Sequence, residues 1–253
     1  MKNITILFFL TFSISLCAQN DSILKISDST FISNFDSVYN SLLEKENPVF
    51  YEDSLYSVRK TCSGEWGGSV WFKNKKTGVG YSCESTCPLS INRIKNKYYV
   101  TSNLNHGFGL TKIIEIENPE KMEIFQEPKP IKQKSWKWWK KKDKIYYVGA
   151  FESKSIKGTN LIFDSVGIEI LGTTKIQDTI YQIIQDRNSI FLSTVIEGKL
   201  IPIQNLNFLN GLNFTKLMHT IDKKIILFFE NSDSEGYVEI FNKNISISRF
   251  NKG

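Results

Sequence analysis

Three cysteines and one histidine are the residues of this chain with the clearest capacity for chemistry. Cys62, Cys83 and Cys87 are separated by 20 and 3 residues, and His106 follows after 18 more. Three thiolates and an imidazole can hold Zn²⁺ in a tetrahedron, but this spacing matches no compact zinc finger. In an oxidising compartment two of the thiols would instead pair and leave the third free. We therefore predict a disulfide from Cys62 to Cys83 or Cys87, keep zinc as an alternative, and expect no cofactor.

A segment rich in tryptophan and lysine is the second feature with an evident chemistry. Residues 129–144 contain eight lysines and a single acid, Asp143, within a chain whose formal net charge is +6. The remainder of the chain is therefore close to neutral, which argues against a nucleic-acid-binding protein. Aromatic rings that stack on sugars and lysines that attract anions predict a site for an anionic glycan, an envelope surface or an acidic protein. The ligand-binding candidates are Trp136, Lys137, Trp138, Trp139, Lys140, Lys141 and Lys142. The alternative is that the tryptophans are core residues and the lysines a solvated turn that protects an edge strand.

Carboxylates suited to hydrolysis are present but carry no catalytic motif. A glycoside hydrolase needs two carboxylates about 5–9.5 Å apart. Candidates in the loops of one predicted face of the domain include Glu65, Glu84, Glu152, Asp233 and Glu235. The chain has no His-Glu-x-x-His, Gly-x-Ser-x-Gly or nucleotide-binding sequence. His106 could act as a general acid or base, but we favour a loop histidine that is hydrogen-bonded to nearby backbone.

The first 18 residues have the order of a secretory signal peptide. Lys2 precedes an uncharged apolar run at residues 4–16, and Ala18 supplies a small residue for cleavage. We expect a protein exported to the periplasm or the cell exterior. A retained anchor and lipidation at Cys17 are the alternatives, and the bulky Leu16 before the cysteine disfavours lipidation.

One amphipathic helix is predicted in the segment 19–47. Phe31, Phe35, Val38 and Leu42 recur at helical spacing. Asp28 or Ser29 could cap its start, and Pro48 prevents it from continuing.

From residue 48 to residue 253 the pattern is one of short β-branched and aromatic runs divided by turn residues. Apolar bursts marked by Tyr98, Ile145, Ile190 and Ile225 recur at intervals of 47, 45 and 35 residues. This rhythm resembles that of β-propellers, whose blades take about 40–50 residues. We predict an all-β, propeller-like domain of about five small blades, with a β-sandwich as the alternative.

The propeller register predicts where the candidate residues lie. Residues 62–68, 83–87 and 103–109 become loops on one face, where Glu65, Trp66, Asn105 and His106 are the candidates for ligand contact. The tryptophan and lysine segment lies on the opposite face. The sequence thus favours an exported binding protein of unknown ligand over an enzyme, and a glycoside hydrolase is the alternative.

Overall fold

The computed structural model describes residues 23–31, 34–104, 109–126, 129–133, 144–148, 152–186, 189–221 and 223–252. For Trp66, 129–133 and 144–148 it describes the backbone only. Strands make up most of these residues, and the prediction of an all-β chain is confirmed. Within the described ranges, no helix is both long enough and apolar enough to cross a membrane.

The N-terminal segment forms a strand and then a helix. Strand β1 is Lys25–Phe31 and helix α1 is Phe35–Leu43. The prediction that the helix includes Phe31 and is capped by Asp28 or Ser29 is wrong. Residues 25–31 instead pair in parallel with the last strand of the chain, where Phe31 stacks on Phe250 at 5.3 Å. Asn34 is the true cap, and its side chain accepts a hydrogen bond from the backbone N–H of Asp36 at 2.7 Å.

Nineteen further strands follow the helix within the described residues. In chain order they are β2 Tyr51–Glu52, β3 Tyr56–Cys62, β4 Gly68–Asn74, β5 Gly80–Glu84, β6 Pro88–Ile94, β7 Lys97–Leu104, β8 Leu110–Ile116, β9 Glu123–Ile124, β10 Lys129–Gln133, β11 Lys144–Val148, β12 Asn160–Val166, β13 Glu169–Ile176, β14 Thr179–Asp186, β15 Ser189–Ile196, β16 Lys199–Asn205, β17 Phe214–His219, β18 Ile225–Glu230, β19 Ser234–Phe241 and β20 Asn244–Asn251. Tight hairpin turns join several of them, and Lys95 and Gln177 adopt the positive φ values (54° and 56°) that such turns require.

The strands form four larger sheets and one separate pair. Sheet I has the order β2-β3-β4-β5-β9, sheet II β12-β8-β7-β6, sheet III β13-β14-β15-β16 and sheet IV β1-β20-β19-β18-β17. Strands β10 and β11 pair only with each other in the part described. All neighbours are antiparallel except β1 and β20. Each larger sheet is therefore built around a run of consecutive strands that reverse direction at each turn.

The sheets pack face to face in chain order. Tyr98 and Phe72 lie in the core between sheets I and II, and Ile184 lies in the core between sheets II and III. In β18, Leu227 faces sheet III, whereas Phe228 faces α1. Because successive residues of a strand point to opposite faces, a strand covered on both sides is apolar throughout. This explains the apolar bursts of the sequence.

The repeat markers fall on strands of different sheets. Tyr98 lies in β7, Ile190 in β15 and Ile225 in β18, while Ile145 lies in β11. The first three strands are interior to sheets II, III and IV, whereas β11 belongs to the two-stranded pair. The spacing of 47, 45 and 35 residues thus follows the succession of sheets, although the markers do not occupy equivalent strands.

Candidate functional site

A disulfide joins Cys62, at the end of β3, to Cys87, just before β6. The prediction that Cys62 pairs with Cys83 or Cys87 is confirmed, and the partner is Cys87. Cys83 is a free cysteine, fully buried in the core between sheets I and II. Burial raises the pKa of its thiol to about 12, so the thiolate that reacts or binds metal is not formed at neutral pH.

The zinc alternative is incompatible with this pairing, because it requires all three cysteine thiolates. Nor do the described residues contain another group of at least three His, Cys, Asp or Glu side chains that could hold a metal ion. Asn105 and His106, the other proposed contributors to this face, lie outside the described residues.

The loop that contains Glu65 and Trp66 is held against the segment after residue 151. A short 3₁₀ turn, Gly64–Trp66, carries both residues, and Glu65 is exposed. Glu152 accepts hydrogen bonds from the hydroxyls of Thr61 at 2.9 Å and Ser63 at 2.5 Å. Hydrogen bonds between these hydroxyls and the Glu152 carboxylate therefore hold the loop in place, and Glu152 has a structural role.

Gly68 begins β4 at a point where no side chain fits. A Cβ atom there would lie 2.7 Å from the carbonyl oxygens of both Ser85 and Thr61. The close approach brings the chain before β6 onto the start of β4, next to the disulfide. Ser85, in the connection between β5 and β6, and Ser102 of β7 are both buried, and their hydroxyls form a hydrogen bond of 2.7 Å.

The tryptophan and lysine segment lies largely outside the described residues. Trp136, Lys137, Trp138, Trp139, Lys140, Lys141 and Lys142 lie outside the described residues. The flanking strands pair so that Gln133 stands opposite Lys144. The predicted anionic ligand for this segment stays a prediction.

A cavity of about 420 Å³ lies where the chain leaving α1 passes β3, β6 and β17. The described residues that line it are Glu46, Asn47, Pro48, Val49, Phe50, Ser57, Val58, Arg59, Lys60, Leu89, Leu217 and His219. Backbone contacts hold its wall in place. Glu46 and Thr220 form an isolated antiparallel β-bridge, and the N–H of Asn47 donates to the carbonyl of His219 at 2.8 Å. The first, second and last of the larger sheets thus all contribute to one concave site.

Lys60 contributes a positive charge to the wall of the cavity. Its ammonium group donates to the carbonyl oxygen of Pro88 at 2.6 Å and lies 4.3 Å from the centre of the Phe50 ring. Although much of the Lys60 side chain is exposed, the surroundings of its head group lower its pKa through burial. No carboxylate of the described residues lies within ion-pair distance of it.

His219 lines the same cavity and is half-buried. Its Nε2 lies 3.3 Å from the carbonyl oxygen of Leu89. Since a carbonyl can only accept, Nε2 is assigned the proton, and the neutral ring then carries none on Nδ1. Burial lowers the pKa of His219, and the charge of Lys60 lowers it further, against opposing effects from the bond to Leu89 and from Glu46. The imidazole is therefore neutral at pH 7.

The other charged residues of the cavity are engaged. Glu46 forms an ion pair with Lys216 at 2.9 Å, and the Arg59 guanidinium lies 5.2 Å from the centre of the Trp71 ring. Glu46 is the one carboxylate among the described lining residues. A pair of free carboxylates across a substrate, as glycoside hydrolysis needs, is therefore not found among them.

A second charged cluster has a structural role. Asp53 accepts hydrogen bonds from Tyr98 at 2.7 Å, from Arg93 at 2.9 Å, and from the backbone N–H groups of Leu55 and Tyr56 at 2.8 Å. Partial burial alone would raise the pKa of Asp53, but these hydrogen bonds and the Arg93 charge outweigh it and lower the pKa. The carboxylate is fully occupied in joining the turn before β3 to sheet II.

Sequence reasoning missed the cavity because its residues come from distant parts of the chain. His219 follows Leu217 and Met218 in the sequence, and these apolar neighbours predict a core residue. In β17 only Met218 is fully buried, whereas Leu217 and His219 share the opposite face and line the cavity. Strand alternation was thus an available signal for His219. Nothing in the local sequence distinguishes Lys60 from other lysines.

Comparison with known proteins adds no relationship to this picture: no protein-family profile, no curated protein and no solved structure matches the chain.

Proposed function

We propose that this chain is an exported binding protein whose ligand occupies the cavity between β3, β6 and β17. Export is supported by the leader-like residues 1–18 and by the disulfide, which is typical of proteins that mature in oxidising compartments. The cavity supports binding because small-molecule sites are concave and mostly apolar, with a few polar groups that orient the ligand.

The observation that carries the proposal is the make-up of the cavity wall. Its volume of about 420 Å³ lies within the 300–1,000 Å³ that is usual for ligand sites. Apolar side chains of Phe50, Leu89 and Leu217 share it with the polar head groups of Lys60 and His219. Binding needs no more than this, whereas hydrolysis would need a second carboxylate.

The packing order of the sheets supports a propeller-like architecture over the sandwich alternative. Sheets I, II, III and IV pack successively, and residues of sheets I and IV line one cavity together with Leu89 of sheet II. In a propeller the first and last blades meet in this way. The cavity then lies where blades converge, which is where propellers commonly bind ligands.

Two fluorescent probes of similar shape test the proposal on the mature protein. The anionic 8-anilinonaphthalene-1-sulfonate and the neutral N-phenyl-1-naphthylamine are titrated into wild type and into Val49→Trp, which enlarges a side chain that lines the cavity. Ile156→Trp is the control, since Ile156 is 73% exposed and does not line the cavity.

We expect saturable binding of at least one probe to wild type and to Ile156→Trp, weakened at least tenfold in Val49→Trp. Circular dichroism and cooperative urea unfolding verify that all three proteins are folded. If neither probe binds, or if both tryptophan variants bind as wild type does, the cavity is not the ligand site.

A further inference from the structure

We propose that the cavity selects an organic anion, a compound with one negatively charged group on an apolar body, and that Lys60 binds the charged group. This inference rests on the proposed function and names the class of ligand. It concerns a different site from the tryptophan and lysine segment of the sequence.

Lys60 places a positive charge in the cavity wall. Its ammonium group is held by a carbonyl oxygen and an aromatic ring, neither of which neutralises it. A cation in partly buried surroundings without a carboxylate partner is costly, because burial penalises the charged form. An anion that enters the cavity would supply the missing counter-charge through a charge-assisted hydrogen bond.

The neighbouring charges leave this position to a ligand. Glu46, the nearest acid of the wall, is bound to Lys216, and Arg59 contacts Trp71. His219 is neutral and its proton is directed to Leu89, so it does not repel an anion as a like-charged acid would. Among the described lining residues, the Lys60 ammonium is thus a cation with no carboxylate within ion-pair distance, whereas the Arg59 guanidinium lies over the ring of Trp71, which does not line the cavity.

The rest of the wall determines the body of the ligand. Phe50, Leu89 and Leu217 line the cavity with apolar side chains, which come from the segment after α1, from β6 and from β17. A small inorganic anion would leave these surfaces in contact with water. A bound apolar body removes them from water, which stabilises the complex by roughly 25 cal/mol for each Å² buried.

The test measures how much the affinity for each of the two probes depends on Lys60. Lys60→Met retains the apolar stem and removes the charge. Lys175→Met is a matched control, because Lys175 also donates to a backbone carbonyl, that of Arg93 at 2.8 Å, but does not line the cavity. Dissociation constants for the anionic and the neutral probe are measured for wild type and both variants at low and at physiological salt.

We expect Lys60→Met to weaken the binding of the anionic probe at least tenfold and that of the neutral probe less than twofold. Lys175→Met should bind both probes with the affinity of wild type. Octanoate should displace the anionic probe better than octanol does. Equal effects of Lys60→Met on both probes, or none, would refute the anion selectivity while leaving the proposed binding site intact. Equal weakening in Lys175→Met would attribute the effect to general surface charge and also refute it.

A bilayer surface is the competing source of the same chemistry. Vesicles of phosphatidylglycerol are therefore added to the protein with the probe bound. Displacement by octanoate but not by vesicles agrees with a free small molecule. Displacement by vesicles alone would contradict the assignment.

Discussion

Replacing Cys62 and Cys87 by serine removes the cross-link between β3 and the connection that leads to β6. The two residues are 25 positions apart in the chain. In the chain-entropy description, closing a loop of that length restricts the unfolded state and stabilises the folded one by about 3.5 kcal/mol. For a chain of this size, that change lowers the melting temperature by about 7–14 °C.

Urea unfolding followed by circular dichroism measures the effect. The free energy of unfolding is compared for wild type and for the double variant, each with and without a phosphine reductant. The reductant should bring wild type to the value of the double variant and leave the double variant unchanged. If the free energy of unfolding of the double variant lies within about 0.5 kcal/mol of that of oxidised wild type, the disulfide does not stabilise the fold by restricting the unfolded chain.

Four further predictions follow from separate features. Gly68→Ala should destabilise the fold by more than 1 kcal/mol, because its Cβ would meet two carbonyl oxygens, whereas Gly80→Ala, which has open space, should change the urea midpoint little; equal midpoints would contradict this. Cys83 should resist iodoacetamide in native protein and react once in urea, as intact mass will show; labelling under native conditions would place it at the surface. Because the pKa of His219 is lower in the folded than in the unfolded state, the unfolded state binds more protons below about pH 6.5, and the free energy of unfolding should fall on acidification from pH 7.5 to 5.5. His219→Gln should reduce this dependence of stability on pH. An unchanged dependence in the variant would assign it to other groups. Replacing the three lysines at 140–142 by serine should lower the salt concentration that elutes the protein from a sulfonate column. Replacing the three lysines at 73, 75 and 76 by serine should lower it less, and equal shifts would contradict a special basic patch at 140–142.

The strands were predictable where packing is simple. Apolar bursts identify strands such as β18, in which both faces are covered, because every residue from Ile225 to Phe229 is then buried. The turns between strands could also be predicted, from the turn residues that divide the apolar runs. Sheet membership was not, because β9 returns to sheet I and β12 to sheet II after the chain has left both.

The helix illustrates how tertiary contacts override a local pattern. Phe31 fits the helical stripe of Phe35 and Val38, yet β1 pairs with β20 and places Phe31 against Phe250. Asp28 forms an ion pair with Arg249 rather than capping a helix. A partner more than 200 residues away in the chain leaves no sign in the local sequence.

The candidate site was less predictable than the fold. Cysteine spacing predicted a disulfide but not which of Cys83 and Cys87 is the partner of Cys62. That choice depends on the fold, in which Cys83 of β5 is buried in the core between sheets I and II, whereas Cys87 lies in the connection that leads to β6. The surroundings of the Lys60 ammonium group are formed by Phe50 and Pro88, which lie close to it only in the folded chain. Such a site depends on three sheets at once, and a pattern along one strand does not encode it.

A crystal structure of the mature protein with 8-anilinonaphthalene-1-sulfonate tests most directly that the cavity is a ligand site. The proposal predicts the aromatic rings between Phe50, Leu89 and Leu217, with the sulfonate within hydrogen-bond distance of the Lys60 ammonium and beside His219. An ordered probe bound elsewhere, with solvent alone in the cavity, would contradict it.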